Sequence, residues 1–397
     1  MRISSTTMIN YNVSAINQLQ SQIAQTQQQA ASGSQLLTAA TNPAAYTTAM
    51  NLNQTVAINT QQAANITSAT NTLSIAGNTM MSVTNMLQSI RSIAVTAQDP
   101  TLSDAARATI GNNLNGQLQQ LVGLANSTDG LGNYLFSGFQ SKTAPFSING
   151  SGVTVYNGDA GQQSVQVSAG RQIQVSDSGS SVFMNIKNGN GAFSATAAAT
   201  NTGGGVISAG LVTNAAQLTQ NTYSIKFAVA AGVTTYTVTP PPTVGAASGP
   251  YTPGQAISFD GMQVSISGAP ANGDSFTLAP STNQSVFQTI SNLVTTLKTP
   301  ASGANVINGV ANAILNMDNA IQHMATVEAS QGLRLNEMSL IQTSNNSMNV
   351  QLQQTLSTLQ DTNYASTLTA LSQQQLILQA AQKSYAQVAN LSMFSYI

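Results

Sequence analysis

The chain lacks much of what chemistry requires. There is no cysteine, so disulfides, zinc–thiolate sites and thiol nucleophiles are excluded. There is no tryptophan, and His323 is the only histidine, so a histidine-based triad would have to centre on it. Its place beside Met324 in a helical pattern reads instead as a surface position flanking a heptad seam. Charge is equally scarce. Asp, Glu, Lys and Arg make up 5% of the 397 residues, against about 25% in an average globular protein. The net charge of −1 offers no basic patch for nucleic acid or an anionic membrane surface. Between Arg2 and Arg91 there is no charged residue at all. The scattered carboxylates form no metal-ligand spacing, and Gly203-Gly204-Gly205 lacks the Lys-Ser/Thr ending of a phosphate-binding loop. The expectation is no catalytic, cofactor or metal site. No apolar run approaches a membrane span, and Met1–Thr6 lacks the apolar core of a secretory signal. A cytosolic chain, or one exported without a cleaved signal, is the expectation.

What remains is amide, hydroxyl and apolar periodicity. Ile66, Ala69, Leu73, Ala76, Met80, Val83, Leu87, Ile90, Ala94 and Ala97 alternate in steps of three and four, a heptad seam on a helix about 48 Å long. So long a stripe needs a partner. Ile307, Val310, Ile314, Met317, Ile321 and Met324 supply one with the same steps. Met80, Met81, Met317 and Met324 read as core fillers. The low charge leaves little repulsion between copies, so self-association is expected.

In chain order, Ile9, Val13, Ile16, Leu19 and Ile23 form a thin stripe in a Gln-rich start, marginal alone and helical with partners. A helix of about 44–97 follows, then one of about 104–126 capped at Ser103-Asp104 and carrying Ile110, Leu114, Leu118, Leu121 and Leu124. Tyr134–Phe139 reads as a short strand or turn. From about 143 the period changes to two, with strands around Val153–Tyr156, Val165–Val167, Ile173–Val175, Tyr223–Phe227 and Thr235–Val238. The segment 143–280 is expected to be all-β, in one unit or in two divided near Ala195–Gly205. Helix returns with Val286, Phe287, Ile290, Leu293, Val294 and Leu297, then from about 305, and last after Asp361 with Tyr364, Leu368, Leu371, Leu378, Tyr385 and Val388. Leu391–Ile397 is an apolar tail suited to a partner. The fold class is mainly α with a β insertion: a long coiled-coil-like bundle, parallel or antiparallel, joins the two halves of the chain around a central β region.

Three stretches resemble the flagellin superfamily, over roughly 1–145 and 280–397. They are Met1–Met8 with Ala31–Leu37 and Asn42–Ala45; Ala125–Phe139, with Asn126, Asp129, Gly130, Tyr134, Phe136 and Gly138, followed by Thr143–Phe146; and Asp361–Ala365, Leu378–Ala381 and Leu391–Phe394. The second is similar to the superfamily's hook–filament junction proteins. Ser34 and Thr41-Asn42 stand where relatives usually carry a basic residue and two aspartates, so ionic contacts there are absent or replaced by amide hydrogen bonds.

The resemblance implies a terminal polymerisation domain (1–43 and 360–397), a long-helix rod (44–142 and 281–359) and an outer β domain (143–280). It implies unfolded passage through the flagellar export channel to the outside of the cell. It further implies a ring of copies between hook-associated protein 1 and flagellin, and an export chaperone at the C-terminal end. Filament flagellin itself is the alternative, against which Asn133–Phe139 argues. A hydrolase on a flagellin-like scaffold would need a clustered site in the β segment, where no His, Cys or paired carboxylates converge.

Overall fold

A computed structural model describes residues 5–301 and 303–390. Met1–Ser4 and the apolar tail Leu391–Ile397 lie outside the described residues, as does the Val388 side chain. The chain divides into two compact units, 1–64 with 340–397, and 65–339. The first takes in 44–64 and 340–359 as well as the terminal segments 1–43 and 360–397, and the second holds 65–142, the β region and 281–339.

The first unit is helical. α1 (Ser5–Ser32) packs against the last helix, Tyr364–Asn390. It also holds the start of α2 (Pro43–Thr96), where Asn42 Oδ1 accepts the Ala45 N–H at 3.1 Å, an amide cap. The chain crosses between its two ends at a backbone clasp. The Gln35 N–H donates to Gln360 O at 2.8 Å and the Thr362 N–H to Gly33 O at 2.9 Å. In α1 the shielded positions are Ile9, Asn12, Ile16, Leu19, Ile23, Thr26, Gln29 and Ala30. Val13, expected in that stripe, is exposed, because the spacing of three and four runs through Asn12 instead.

The second unit contains 65–96 of α2, α3 (Asp104–Ala125), all the strands, α4 (Val286–Lys298) and the front of α5 (Gly303–Gln360). The Tyr364–Asn390 helix of the first unit is α6. α3 is capped by Ser103 and α4 by Ser285, whose hydroxyls accept the Ala106 and Gln288 N–H groups. α3 buries Leu114, Leu118 and Leu121 against the apolar face of α4, while Ile110 and Leu124 are half-buried. Ile66 through Ala97 are buried at every one of the ten expected seam positions. Each fully buried Leu, Ile, Val or Met contributes about 1.5–3 kcal/mol relative to exposure. Met81 is 53% exposed and is no core filler, since it lies about 100° around the helix from Met80.

α2 and α5 run antiparallel in this unit. Thr70 Oγ1 lies 3.6 Å from Met338 Sδ, Thr84 Oγ1 donates to Glu328 Oε1 at 2.8 Å, and Arg91 Nε donates to Asp318 Oδ1 at 2.5 Å. The seam on α5 differs from its expected register. Val310, Met317 and Met324 are buried, but the positions between them are Val306, Ala313 and Ala320, not Ile307, Ile314 and Ile321. Those isoleucines are half-buried, and Ile314 and Ile321 pack at the edge of the core. Alanine in the seam allows close approach of the helices, and the bulkier neighbours cover its flank.

The strands form two groups. β1 (Phe146–Ile148) pairs with β2 (Thr154–Tyr156), and β3 (Ser164–Ser168) with β4 (Arg171–Gln174). A π-helical turn at Ser180–Met184 follows. The β1–β2 hairpin shares the helical core through Phe146, with Val182 and Phe183 of the turn and Ile186 of β5 (Ile186–Lys187). The second group has its own core. It contains β6 (Phe193–Ala197), β7 (Val206–Ile207), β8 (Leu211–Val212), β9 (Tyr223–Ala230), β10 (Val233–Thr239) and β11 (Ser248–Pro250). Then come β12 (Ala256–Phe259), β13 (Met262–Ser267), β14 (Ser275–Pro280) and β15 (Asn283–Gln284), the last of which returns to pair β5. Five strands make an antiparallel sheet in the order β11-β10-β9-β14-β6, and β12-β13-β7 make a second sheet, with β8 also on β13. The division between groups therefore falls near 187–193, ahead of the Ala195–Gly205 run. No described helix is long and apolar enough to cross a membrane.

Candidate functional site

The loop after α3 is built on backbone hydrogen bonds from its own polar side chains. Asn126 faces the Phe146 backbone with both ends of its amide, Nδ2 donating to Phe146 O at 2.8 Å and Oδ1 accepting the Phe146 N–H at 2.9 Å. Asp129 accepts the Leu131 and Asn133 N–H groups and the Asn133 side-chain amide. Burial pushes the Asp129 carboxyl up, but these hydrogen bonds outweigh it and hold it below the ordinary carboxylate value. Gly130 turns the chain in the left-handed region at φ 74°. The Tyr134 N–H donates to Ser141 O at 2.8 Å. Phe136 is fully buried, its ring edge-on to Phe183 at 5.2 Å, in a cluster with Phe146 and Phe287. Tyr156 OH donates to Phe136 O at 3.0 Å. Gly138 is held at φ 72° against Asp159, where a Cβ would stand 2.1 Å from Asp159 Oδ1. That carboxylate accepts the Phe139 and Gly161 N–H groups. Tyr134–Phe139 is thus a turn folded into the core, with only Phe139 left 66% exposed and Leu131, upstream, 82% exposed.

This loop walls a recess of about 720 Å³, opposite Ser68, Asn71 and Ile75 of α2 and beside Val165 and Val175. A second recess of about 730 Å³ lies between 196–202, the end of α4 and the start of α5, lined by Thr, Asn and Ala. The first has one carboxylate, Asp129, committed to the N–H groups of its own loop, the second has no charged residue, and neither is lined by a histidine. Among the described residues no three of His, Cys, Asp and Glu stand together as metal ligands would. His323 is not a free surface residue; its Nε2 donates to Ser181 O at 2.8 Å.

That contact belongs to a longer pattern which sequence reasoning missed. Along one face of α5, Asn305, Asn308, Asn312, Asn316 and Asn319 each hydrogen-bond to the backbone of 187–207. Further along, Gln331 Nε2 and Arg334 donate to Asp177, and Arg171 pairs with Glu337. The signal was present as Asn at steps of three and four, which reads as a solvated face until the strand segment is laid against it.

Of the residues expected to form assembly seams, Ile66, Leu73, Met80, Val83, Leu87 and Ile90 are in the interior of the second unit, with Val310 and Met317. In the first unit, Leu371 and Leu378 are half-buried beside Thr367, Gln374 and Ala381 on one stripe of α6. Leu368 is off that stripe and 53% exposed, one residue and so about 100° around from Thr367. Leu376 and Ile377 are exposed with it, at 67% and 48%.

Comparison with known proteins agrees with this architecture. Residues 3–141 match the bacterial flagellin N-terminal helical region, and residues 196–280 match the D2-like domain of flagellar hook-associated protein 1. Flagellar hook-associated protein 3 of Salmonella typhimurium is 33% identical over 186 residues, which are 47% of this chain and 58% of that protein. The chain thus spans a little over half the length of that curated relative. Among solved structures, hook associated protein-3 of Legionella pneumophila is 31% identical with a TM-score of 0.73, covering 78% of this chain and 98% of its own. FlgL of Xanthomonas campestris is 31% identical with a TM-score of 0.69, covering 77% and 99%. With the expected Asn126–Phe139 loop, the antiparallel long helices and a solved relative covered almost end to end, the chain belongs to the flagellar hook-associated protein 3 family.

Proposed function

We propose that this protein is a structural component of the bacterial flagellum, outside the cell, where a ring of its copies joins the hook to the filament. What supports the reading is the near-complete coverage of a solved hook associated protein-3. The neighbours in this reading are hook-associated protein 1 on the hook side and flagellin on the filament side. The terminal helices supply the contacts between copies. On α1, Met8 and Tyr11 are exposed, and on α6, Leu368, Leu376 and Ile377, large apolar side chains open to another copy. The uncharged stretch between Arg2 and Arg91 lets like surfaces meet without repulsion. The C-terminal helix is the place for an export chaperone, and the β region 143–280 faces outward. The role is mechanical and needs no catalytic group.

The test is immunogold labelling of intact flagella with an antibody to the second β group. A single band where hook meets filament is the expected result. Label along the whole filament would make the protein a flagellin, and secreted antigen absent from flagella would remove the structural role.

A further inference from the structure

Seven Asn-Gly pairs occur in the chain, at Asn115, Asn149, Asn157, Asn188, Asn190, Asn272 and Asn308. The pair is chemically labile because glycine leaves the following backbone nitrogen open to approach the asparagine side chain. The structure sorts the seven by whether that nitrogen and that side chain are available. Asn115 and Asn308 are inside α3 and α5. The Gly189, Gly191 and Gly273 N–H groups are committed to Asn316 Oδ1, Asn188 O and Phe227 O. Gly158 is wedged between Tyr156 and Ser137, and Asn157 Nδ2 donates to Ser147 Oγ at 2.9 Å.

Asn272 and Gly273 are also exposed, and Asn190 Oδ1 also accepts two backbone N–H groups, but only Asn149 combines exposure and two donors with an uncommitted glycine nitrogen. Asn149 and Gly150 are exposed at the tip of the β1–β2 hairpin, and the Gly150 N–H makes no hydrogen bond among the described residues. The Asn149 Oδ1 accepts two backbone N–H groups, from Ser151 and Val153, both at 3.0 Å. The turn is held by the Asn149 N–H donating to Val153 O at 2.9 Å. Two donors on a carbonyl oxygen polarise the carbon and stabilise the oxyanion that forms when a nucleophile adds.

We propose that Asn149 is a self-modifying site that loses its side-chain amide by attack of the Gly150 nitrogen. The Gly150 nitrogen bonds to Asn149 Cγ and gives its proton to solvent. The Cγ–Nδ2 bond breaks and ammonia leaves with a proton, closing a five-membered succinimide. Water then adds to either ring carbonyl and opens it, leaving an aspartyl or isoaspartyl residue at position 149. Overall the amide and one water become a carboxylate and an ammonium ion, with no oxidant or reductant. Both products place a negative charge on a chain whose net charge is −1, and the isoaspartyl form adds a carbon to the backbone of the turn.

The test is incubation of the purified full-length protein at mildly alkaline pH, followed by peptide mass spectrometry with electron-transfer fragmentation. The fragmentation is needed because Asn149 and Asn157 share the tryptic peptide from Thr143 to Arg171. Position 149 is expected to convert first, roughly tenfold faster than Asn157, Asn188, Asn190 or Asn272. Gly150 has no atom within 4 Å of an added Cβ and no positive φ, so Gly150→Ala fits the fold. It should leave the melting temperature unchanged and slow conversion at 149 by about tenfold, since the methyl group hinders the attacking nitrogen. Conversion of Asn157 or Asn272 as fast as Asn149 would overturn the proposal, as would an unchanged rate in Gly150→Ala.

Discussion

Asn308 of α5 and Ile207 of β7 are joined by a buried hydrogen bond, the Ile207 N–H donating to Asn308 Oδ1 at 2.9 Å, while the same side chain donates to Gly205 O at 3.0 Å. One neutral amide thus satisfies both backbone groups of a strand segment lying against a helix. Asn316 and Asn319 do likewise for the Gly189 N–H and for the carbonyls of Lys187 and Gly189. In a chain with so little charge, the β region is attached to the long helix by amide–backbone hydrogen bonds along one helical face.

Asn308→Ala should therefore cost about 2–6 kcal/mol, because two buried backbone groups lose their partner at about 1–3 kcal/mol each. Urea denaturation of the full chain measures it, with amide exchange at Ile207 as the local readout. A change under about 0.5 kcal/mol would mean that water replaces the amide at no loss.

The register of the α2–α5 seam can be tested by two truncations. Leu87→Ala removes a fully buried side chain and should cost about 2–5 kcal/mol. Ile307→Ala trims a half-buried neighbour of the seam and should cost under about 1.5 kcal/mol. The opposite ranking in thermal melts would put Ile307 back in the seam.

Acid should loosen the second β group. Burial pushes the Asp260 carboxyl up, but the Tyr223 hydroxyl at 2.5 Å and the Val244 and Thr243 N–H groups outweigh it and hold its pKa below the ordinary value. A depressed carboxylate stabilises the fold above its unfolded value, about 3.9, and that contribution is lost as pH falls through the lower native one. Asp260→Asn should melt below wild type at neutral pH, and the gap should narrow as the pH drops through this window. A gap independent of pH would assign the effect to hydrogen-bond geometry alone.

Leu368 and Leu376 separate folding from assembly. Both are more than half exposed, so Leu368→Gln with Leu376→Gln should leave monomer stability within about 0.5 kcal/mol. If α6 is a contact surface between copies, the same pair should reduce sedimentation of polymer formed at high concentration. Unchanged polymer yield would move the contact elsewhere.

Much of this protein is determined by its sequence alone. A strict three–four spacing from Ile66 to Ala97 admits one helical face, and Asp-Pro, Ser-Asp and Asp-Gly breaks bound the helices, so α2, α3, α4 and α5 were legible to within a few residues. The Asn126–Phe139 loop was legible as a motif through its resemblance to the superfamily, but the contacts of Asn126 with Phe146 and of Gly138 with Asp159 needed the fold. Tertiary structure decided what local pattern leaves open. Val310, Met317 and Met324 are compatible with either adjoining row, and only the close approach of α2 selects Ala313 and Ala320 over Ile314 and Ile321. Leu368 looks like a stripe residue until α1 chooses the face with Thr367 and Leu371. The asparagines from 305 to 319 carry no direction of their own, since an amide serves water and backbone equally well. Their role as the attachment of the β region exists only once strand backbone, with polar groups that must be paired on burial, is laid along that face.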